Sequence, residues 1–171
     1  MMKSSFAVSK IDNINLRKYN IKMSEYKAKI KLILDYLLSL DELKSSKIFN
    51  VDINKIRFDV GFCNDNTIQE INNDYRNKNK PTDVITFSLF VDDDNAMIYR
   101  KTADLGQIIV SIETADKQKN ENNNSLEKEI LTLITHGILH LFGFDHTTKK
   151  EYDFVVGVQN KVIKNYEQIS I

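Results

Sequence analysis

Residues 105–146 read LGQIIVSIETADKQKNENNNSLEKEILTLITHGILHLFGFDH, a stretch that predicts one strand and two helices. The apolar run from Leu105 to Ile112 is nearly continuous, which is typical of a strand buried on both faces in the middle of a sheet. A short polar helix is expected over residues 113–121, and the Asn-Ser break at 122–125 offers a cap for a helix over 126–142. Because this last helix is apolar on most sides, we expect it to be buried.

The rest of the chain supplies further helices and strands. Helices are predicted at 23–43, from the Asn64-Asp65-Asn66 cluster to Arg76, and from Thr148 onward with Tyr152 pointing inward. Strands are predicted at Ile56–Phe62 and Val84–Phe90, with a turn at Asp92–Asn95. Since strands and helices are interspersed, we expect a single α+β domain over residues 1–171, with a small mixed four-stranded sheet packed with about five helices.

The bulk composition is that of a globular protein without a strong overall charge. Of 171 residues, 24 are Lys or Arg and 24 are Asp or Glu, so any attraction to nucleic acid must be local. The first ten residues hold only a three-residue apolar run, and the apolar stretch Ile130–Phe144 is interrupted by polar residues. We therefore expect neither a secretory signal nor a membrane span, and a cytoplasmic protein. The one cysteine, Cys63, lies in an apolar run and is expected to be a buried side chain.

All three histidines of the protein fall within eleven residues. His136 and His140 are four residues apart on a predicted helix, so their imidazoles project from one face and can reach a common ion. Gly143 then provides a point where the helix can end and the chain can reverse to bring His146 back. Three histidines are a typical ligand set for catalytic zinc, with the fourth position open to water or substrate. Such an ion activates water and polarises a phosphoryl oxygen, and both effects serve hydrolysis.

The spacing also resembles the zinc protease pattern H-E-x-x-H-x-x-G-x-x-H. Gly137, however, stands where those proteases carry their glutamate base, and no methionine after Met97 can supply a Met-turn. Peptide hydrolysis is therefore disfavoured. A structural zinc would need a fourth protein ligand, and Cys63 is distant in sequence but free to approach in space.

Three blocks of the sequence resemble the YbeY family of bacterial endoribonucleases. Residues His136–His146 match its H-G-x-L-H-L-x-G-[YF]-D-H signature at every fixed position. The blocks NNDYRNKNKPTDVITF at 72–87 and LGQIIVS at 105–111 are similar to two further family blocks in the same order. The resemblance extends over residues 50–165.

The resemblance implies a metal-dependent, single-strand-specific endoribonuclease that acts in maturation of the 16S rRNA 3′ end and in ribosome quality control. Its implied partners are single-stranded RNA or rRNA, the small ribosomal subunit and assembly factors, with no DNA and no membrane. The implied cofactor is one Zn²⁺ per chain, bound by His136, His140 and His146, with Arg76 as the arginine needed for activity. The chain departs from the family where Gln107 replaces a usual Asp, Thr86 a usual Ser and Ser88 a usual Pro. The lost Asp removes a carboxylate that could have touched the site.

Several interpretations stay open at the level of sequence. Arg76 suits a phosphate clamp, or a cation that complements the end of its helix. Lys78 and Lys80 suit either neighbouring phosphates or a solvated loop, and Asp145 suits either a metal ligand's acceptor or an exposed turn. The attacking group is either water activated by the metal or the 2′-OH of the RNA. Two functions compete with the endoribonuclease: a different zinc hydrolase, and a ribosome-binding factor whose zinc is structural.

Overall fold

A mixed sheet of five strands organises the molecule, in a computed structural model that describes residues 2–93 and 98–169. The strands are β1 Lys3–Lys10, β2 Lys55–Cys63, β3 Val84–Ser88, β4 Ile98–Tyr99 and β5 Thr102–Ser111. Their order is β1-β2-β5-β3, and β4 pairs with the start of β5. β1, β2 and β5 are parallel, whereas β3 and β4 run antiparallel to β5. The predicted buried strand, β5, therefore has paired strands on both sides, as β2 also has.

The described residues form five α-helices, the number expected; α1 to α4 contact the sheet, and α5 packs on α1 and α4. They are α1 Met23–Ser39, α2 Asp65–Arg76, α3 Ile112–Glu121, α4 Leu126–Leu141 and α5 Lys149–Ile169. Short 3-10 helices lie at Leu16–Tyr19, Asp41–Leu43 and Lys47–Phe49. The first predicted helix ends at Ser39 rather than 43, because Leu40 is extended (ψ 123°) and the chain turns there. The predicted caps are present: Ser125 Oγ accepts from Lys128 N at 3.1 Å, and Thr148 and Glu151 form a capping box.

The helices divide between the two faces of the sheet. α4 packs on β3 and β5 and contacts α1, α3 and α5, whereas α2 contacts β3 and β5 through a separate cluster that includes Cys63, Ile68 and Ile85. Successive side chains of a strand point to opposite faces. Ile108 of β5 accordingly lies against α4, and Ile109 joins the cluster under α2.

The expected number of strands was wrong by one, since the sheet has five rather than four. β1 is an edge strand with only a short apolar run, Phe6 to Val8, and its burial alternates weakly. β4 is two residues long and both are exposed. Strands that bury little carry little hydrophobic periodicity, so sequence reasoning has a weak signal for them. The predicted turn at Asp92–Asn95 lies partly outside the described residues, at Asp94 and Asn95.

Within residues 2–93 and 98–169, no helix has both the length and the apolar content needed to traverse a lipid bilayer.

Candidate metal centre

The end of α4 carries two of the three histidines and the turn that returns the third. His136 and His140 lie one helical turn apart in α4. Gly143 adopts φ +90°, a left-handed conformation that glycine takes without a steric cost. Its N–H donates to His140 O at 2.9 Å, and Phe144 N donates to Leu139 O at 3.0 Å. These bonds end the helix and reverse the chain, which brings His146 next to the other two rings.

The three imidazoles converge closely enough for one ion. His140 Nε2 lies 3.0 Å from His136 Nε2, and one ligand nitrogen from each ring lies within 4.8 Å of the others. Two nitrogens bound to one tetrahedral zinc at about 2.0–2.1 Å are about 3.3 Å apart, close to the observed separation. His146 is the exposed member, so rotation of its side chain can complete the set. The donor set and its spacing therefore fit a tetrahedral metal with three protein ligands.

Gln159 of α5 orients the most buried of these rings. Its Oε1 lies 3.2 Å from His136 Nδ1. Because an amide oxygen only accepts, Nδ1 of the neutral ring carries the proton, and Nε2 keeps its lone pair for a metal. Nothing in the sequence pointed to Gln159, because the contact joins residues 23 positions apart and depends on how α5 packs against α4.

Burial keeps His136 and His140 neutral at pH 7. Desolvation, reinforced by the neighbouring His146, lowers the pKa of His136. Desolvation together with His136 and His146 lowers the pKa of His140 to about 4. Neutral imidazole is the form that binds metal, so at pH 7 these two rings need not release a proton first.

Gly137, between the two helical histidines, has no room for a side chain. A Cβ at this position would lie 2.8–3.0 Å from three atoms of Ile108 on β5. The position that carries the general base in zinc proteases is thus pressed against the sheet here. The absence of a glutamate follows from the packing of α4, which strengthens the argument against peptide hydrolysis.

The histidines lie in a pocket of about 470 Å³ that also contains Arg76. Thr86 and Ser88 line it from the face of β3 that looks toward α4, and the Ser88 hydroxyl is buried with no hydrogen-bond partner among the described residues. Three carboxylates also line the pocket, from Asp83, Asp92 and Asp145. The arrangement places the Arg76 guanidinium, several hydroxyl and carboxylate groups, and the three histidine rings around one open space.

Arg76 is the last residue of α2, and the structure brings it to the histidines. It lies near enough for its charge to contribute to the lowered pKa of His140. Lys78 and Lys80 do not line this pocket; they are exposed on the loop after α2, held by bonds from Lys78 N to Asn72 O and from Asn72 Nδ2 to Lys80 O. Asp145 accepts from the backbone N–H of His146 at 2.7 Å, so its carboxylate fixes the turn.

The structure answers two questions that the sequence left open, one about Gln107 and one about Cys63. Gln107 pairs with Phe87 and lies near Gly61, on the face of the sheet opposite α4, so a carboxylate at this position would not reach the histidines. Cys63 is fully buried under α2, and desolvation raises the pKa of its thiol to about 12. It is absent from the metal-binding group found among the described residues, so it does not close the site as a fourth ligand.

The inward orientation expected for Tyr152 is wrong. Val155, Val158 and Ile163 of α5 are buried, but Tyr152 is 54% exposed. It lies in the first turn of α5, where residues 149–153 are all exposed, and its ring contacts that of His146. Helical periodicity identifies the apolar face of a helix, but it does not show which turns of that face are covered by the rest of the protein.

Comparison with known proteins agrees with this geometry. A family profile described as Endoribonuclease YbeY matches residues 11–167, which include every residue of the pocket. A protein of that name from Prochlorococcus marinus is 35% identical over 139 residues, which cover 81% of this chain and 73% of the relative. Its namesake from Malacoplasma penetrans is 41% identical over 111 residues, or 65% of this chain and 71% of the relative.

The fold also has a solved counterpart. The solution structure of a Thermotoga maritima protein superposes with a TM-score of 0.58 over 95% of this chain and 89% of that one, at 24% sequence identity. At that identity the likeness shows the fold alone. With a profile match that runs from before α1 to near the end of α5 and relatives that align over most of their length, the chain belongs to the YbeY endoribonuclease family.

Proposed function

We propose that this protein is a zinc-dependent endoribonuclease that cuts single-stranded RNA. The observation that carries the proposal is the convergence of three histidines in an open pocket that also holds Arg76. Three ligands leave one coordination position for water or substrate, which is the arrangement of catalytic zinc. The names of the relatives supply the reaction class.

In this proposal each residue has a separate task. His136, His140 and His146 bind the zinc ion, and Gln159 holds His136 in the tautomer that leaves Nε2 unprotonated. Zinc supplies Lewis acidity, which polarises a phosphoryl oxygen and activates the attacking hydroxyl group. The pocket carboxylates of Asp83, Asp92 and Asp145 are the candidates to accept the proton of that hydroxyl.

Arg76 is proposed to bind the scissile phosphate. Among the described residues no carboxylate lies within salt-bridge distance of its guanidinium, so that group is available to a phosphate. A planar guanidinium can bind two phosphate oxygens at once and offset the negative charge that grows in the transition state. Lys78 and Lys80, on the exposed loop that follows, are proposed to meet phosphates farther along the strand.

The biological substrate that we propose is the 3′ end of 16S rRNA. This assignment, with the roles in ribosome quality control and the cytoplasmic location that accompany it, rests on the family's sequence motifs. The small ribosomal subunit and its assembly factors are the partners that this substrate implies.

RNA cleavage by the purified protein tests the proposal. Unstructured RNA is incubated with the zinc-loaded protein, with the protein plus chelator, and with His140→Ala. We expect cutting by the first sample alone, because His140 shares the ion with His136 and its loss removes both metal and activity. The control variant Tyr99→Ala, altered on β4 outside the pocket and the cavity beside it, should cut normally.

The same samples separate the competing functions. Cutting that survives the chelator, or His140→Ala with a full zinc content, would contradict the proposed site. Intact zinc without RNA cutting would favour the structural-zinc or other-hydrolase interpretation, and a panel of peptides and phosphoesters would then distinguish these two. For the 16S assignment, precursor rRNA in small subunits should be cut at its 3′ end, whereas uncut precursor beside cut free RNA would refute it.

A further inference from the structure

A second cavity adjoins the metal pocket. This groove has a volume of about 970 Å³ and lies between the ends of α3 and α4 and the exposed side of α5. Asp83, Val84 and His136 line both the pocket and the groove, so the two spaces meet beside the metal ligands. A substrate whose reacting phosphate lies in the pocket therefore has room for its neighbouring group in the groove.

The charges of the groove do not suit a phosphate. Four carboxylates line it against two lysines: Asp83, Glu121, Glu129 and Glu167 against Lys128 and Lys164. Lys128 already pairs with Glu167 at 2.9 Å. The excess of negative charge repels an anion, so the RNA backbone is expected to stay on the side of Arg76. The groove is suited to a neutral part of the substrate.

The shape and chemistry of the groove match a flat, neutral ring with polar edges. Tyr152 is 54% exposed at the rim, and its ring meets His146 edge to face, with centroids 6.5 Å apart. An edge-to-face contact leaves much of the phenol ring uncovered for a second partner. Leu133 and Val156 supply apolar surface, and Asn160 supplies amide hydrogen-bonding groups.

We propose that this groove is a nucleobase subsite, in which the base next to the scissile phosphate stacks on Tyr152. The inference rests on the proposed RNA cleavage and names the part of the substrate that the site selects. Base and aromatic ring stack with little regard to sequence, because every base has a flat face. A base in a duplex would first have to unpair and unstack to enter. The groove thus gives a physical reason for preference for single strands.

Removal of single bases tests the subsite. A set of short single-stranded RNAs carries an abasic ribose at each position around the cut in turn, and kcat/KM is measured for each. One position should lower kcat/KM of the unaltered protein roughly 5- to 100-fold, the range expected for one stacked base. Tyr152→Ala should lose that factor with intact RNA and lose nothing more with the abasic RNA. Tyr152→Phe, which keeps the ring, should behave as the unaltered protein does.

Tyr99→Ala is the matched control, because Tyr99 is 66% exposed on β4 and lines a different cavity. Fluorescence anisotropy with chelator present measures binding of the same RNAs without cleavage. The affinities should show the same dependence on base removal and on Tyr152. If base removal affects Tyr152→Ala and the unaltered protein equally at every position, the subsite is refuted and RNA cleavage stands. If the unaltered protein does not cut intact RNA, both proposals fall.

Discussion

Gln159→Met should weaken zinc binding while leaving the fold intact. Methionine keeps the unbranched length of glutamine and removes the acceptor that faces His136 Nδ1. Loss of such a partner to a metal-binding histidine typically costs 10- to 100-fold in metal affinity. The 3.2 Å contact is at the long end of the N–H···O range. We therefore expect the smaller loss, about tenfold or about 1.4 kcal/mol.

Competition with a chromophoric chelator measures the zinc Kd of each variant. Gln118→Met is the matched control, since Gln118 lines the same groove and contacts no histidine among the described residues. Gln159→Glu keeps an acceptor for Nδ1 and should bind zinc at least as tightly as the unaltered protein. Urea unfolding of the metal-free proteins should be the same for all. Equal zinc affinity in Gln159→Met and Gln118→Met would show that Gln159 does not orient His136.

Three further outcomes are expected. Arg76→Ala should keep its zinc and lose at least tenfold in kcat, because one charge-assisted phosphate contact is removed. If metal analysis or circular dichroism shows that this variant loses its zinc or its fold, Arg76 has a structural role instead. Gly106→Ala should lower the free energy of unfolding by about 2–4 kcal/mol, measured with urea, because residue 106 has φ +118° and a Cβ would lie 1.9 Å from Phe87 O. In the metal-free protein the pKa values of His136 and His140 lie below the unfolded value of 6.5, so the unfolded chain binds more protons than the folded one. The free energy of unfolding should therefore fall as the pH is lowered from 6.5 toward 5. His140→Gln should reduce this dependence on pH, and an unchanged slope would contradict the neutral state of these rings.

The elements that bury much apolar surface were predictable from sequence. β5 and α4 carry strong patterns because each is surrounded by protein, and every turn of such an element must be apolar. Contacts between residues close in sequence were also predictable. The Ser125 cap, the capping box at Thr148 and the i, i+4 pair of histidines each depend on residues within one helical turn.

The strands β1 and β4 were not predictable, since β1 is paired on one side and partly exposed and β4 is only two residues long. The same applies to Tyr152, because the apolar pattern of α5 does not show that the first turn of the helix is exposed. The sequence shows that Gly137 stands where zinc proteases carry their glutamate base. Only the structure gives the reason for a glycine there, which is the close approach of Ile108.

The sequence by itself determined the candidate metal ligands, because their spacing along one helix and the glycine after it are local properties of the chain. Only the tertiary structure decided what surrounds them: Arg76 beside the rings, Gln159 behind His136, Gln107 on the far face of the sheet and the groove next to Tyr152. Each of these depends on how β3, α2 and α5 pack around α4. Elements distant in sequence pack so that the whole chain exposes as little apolar surface as it can. A pattern within one segment does not show which other segments will cover it.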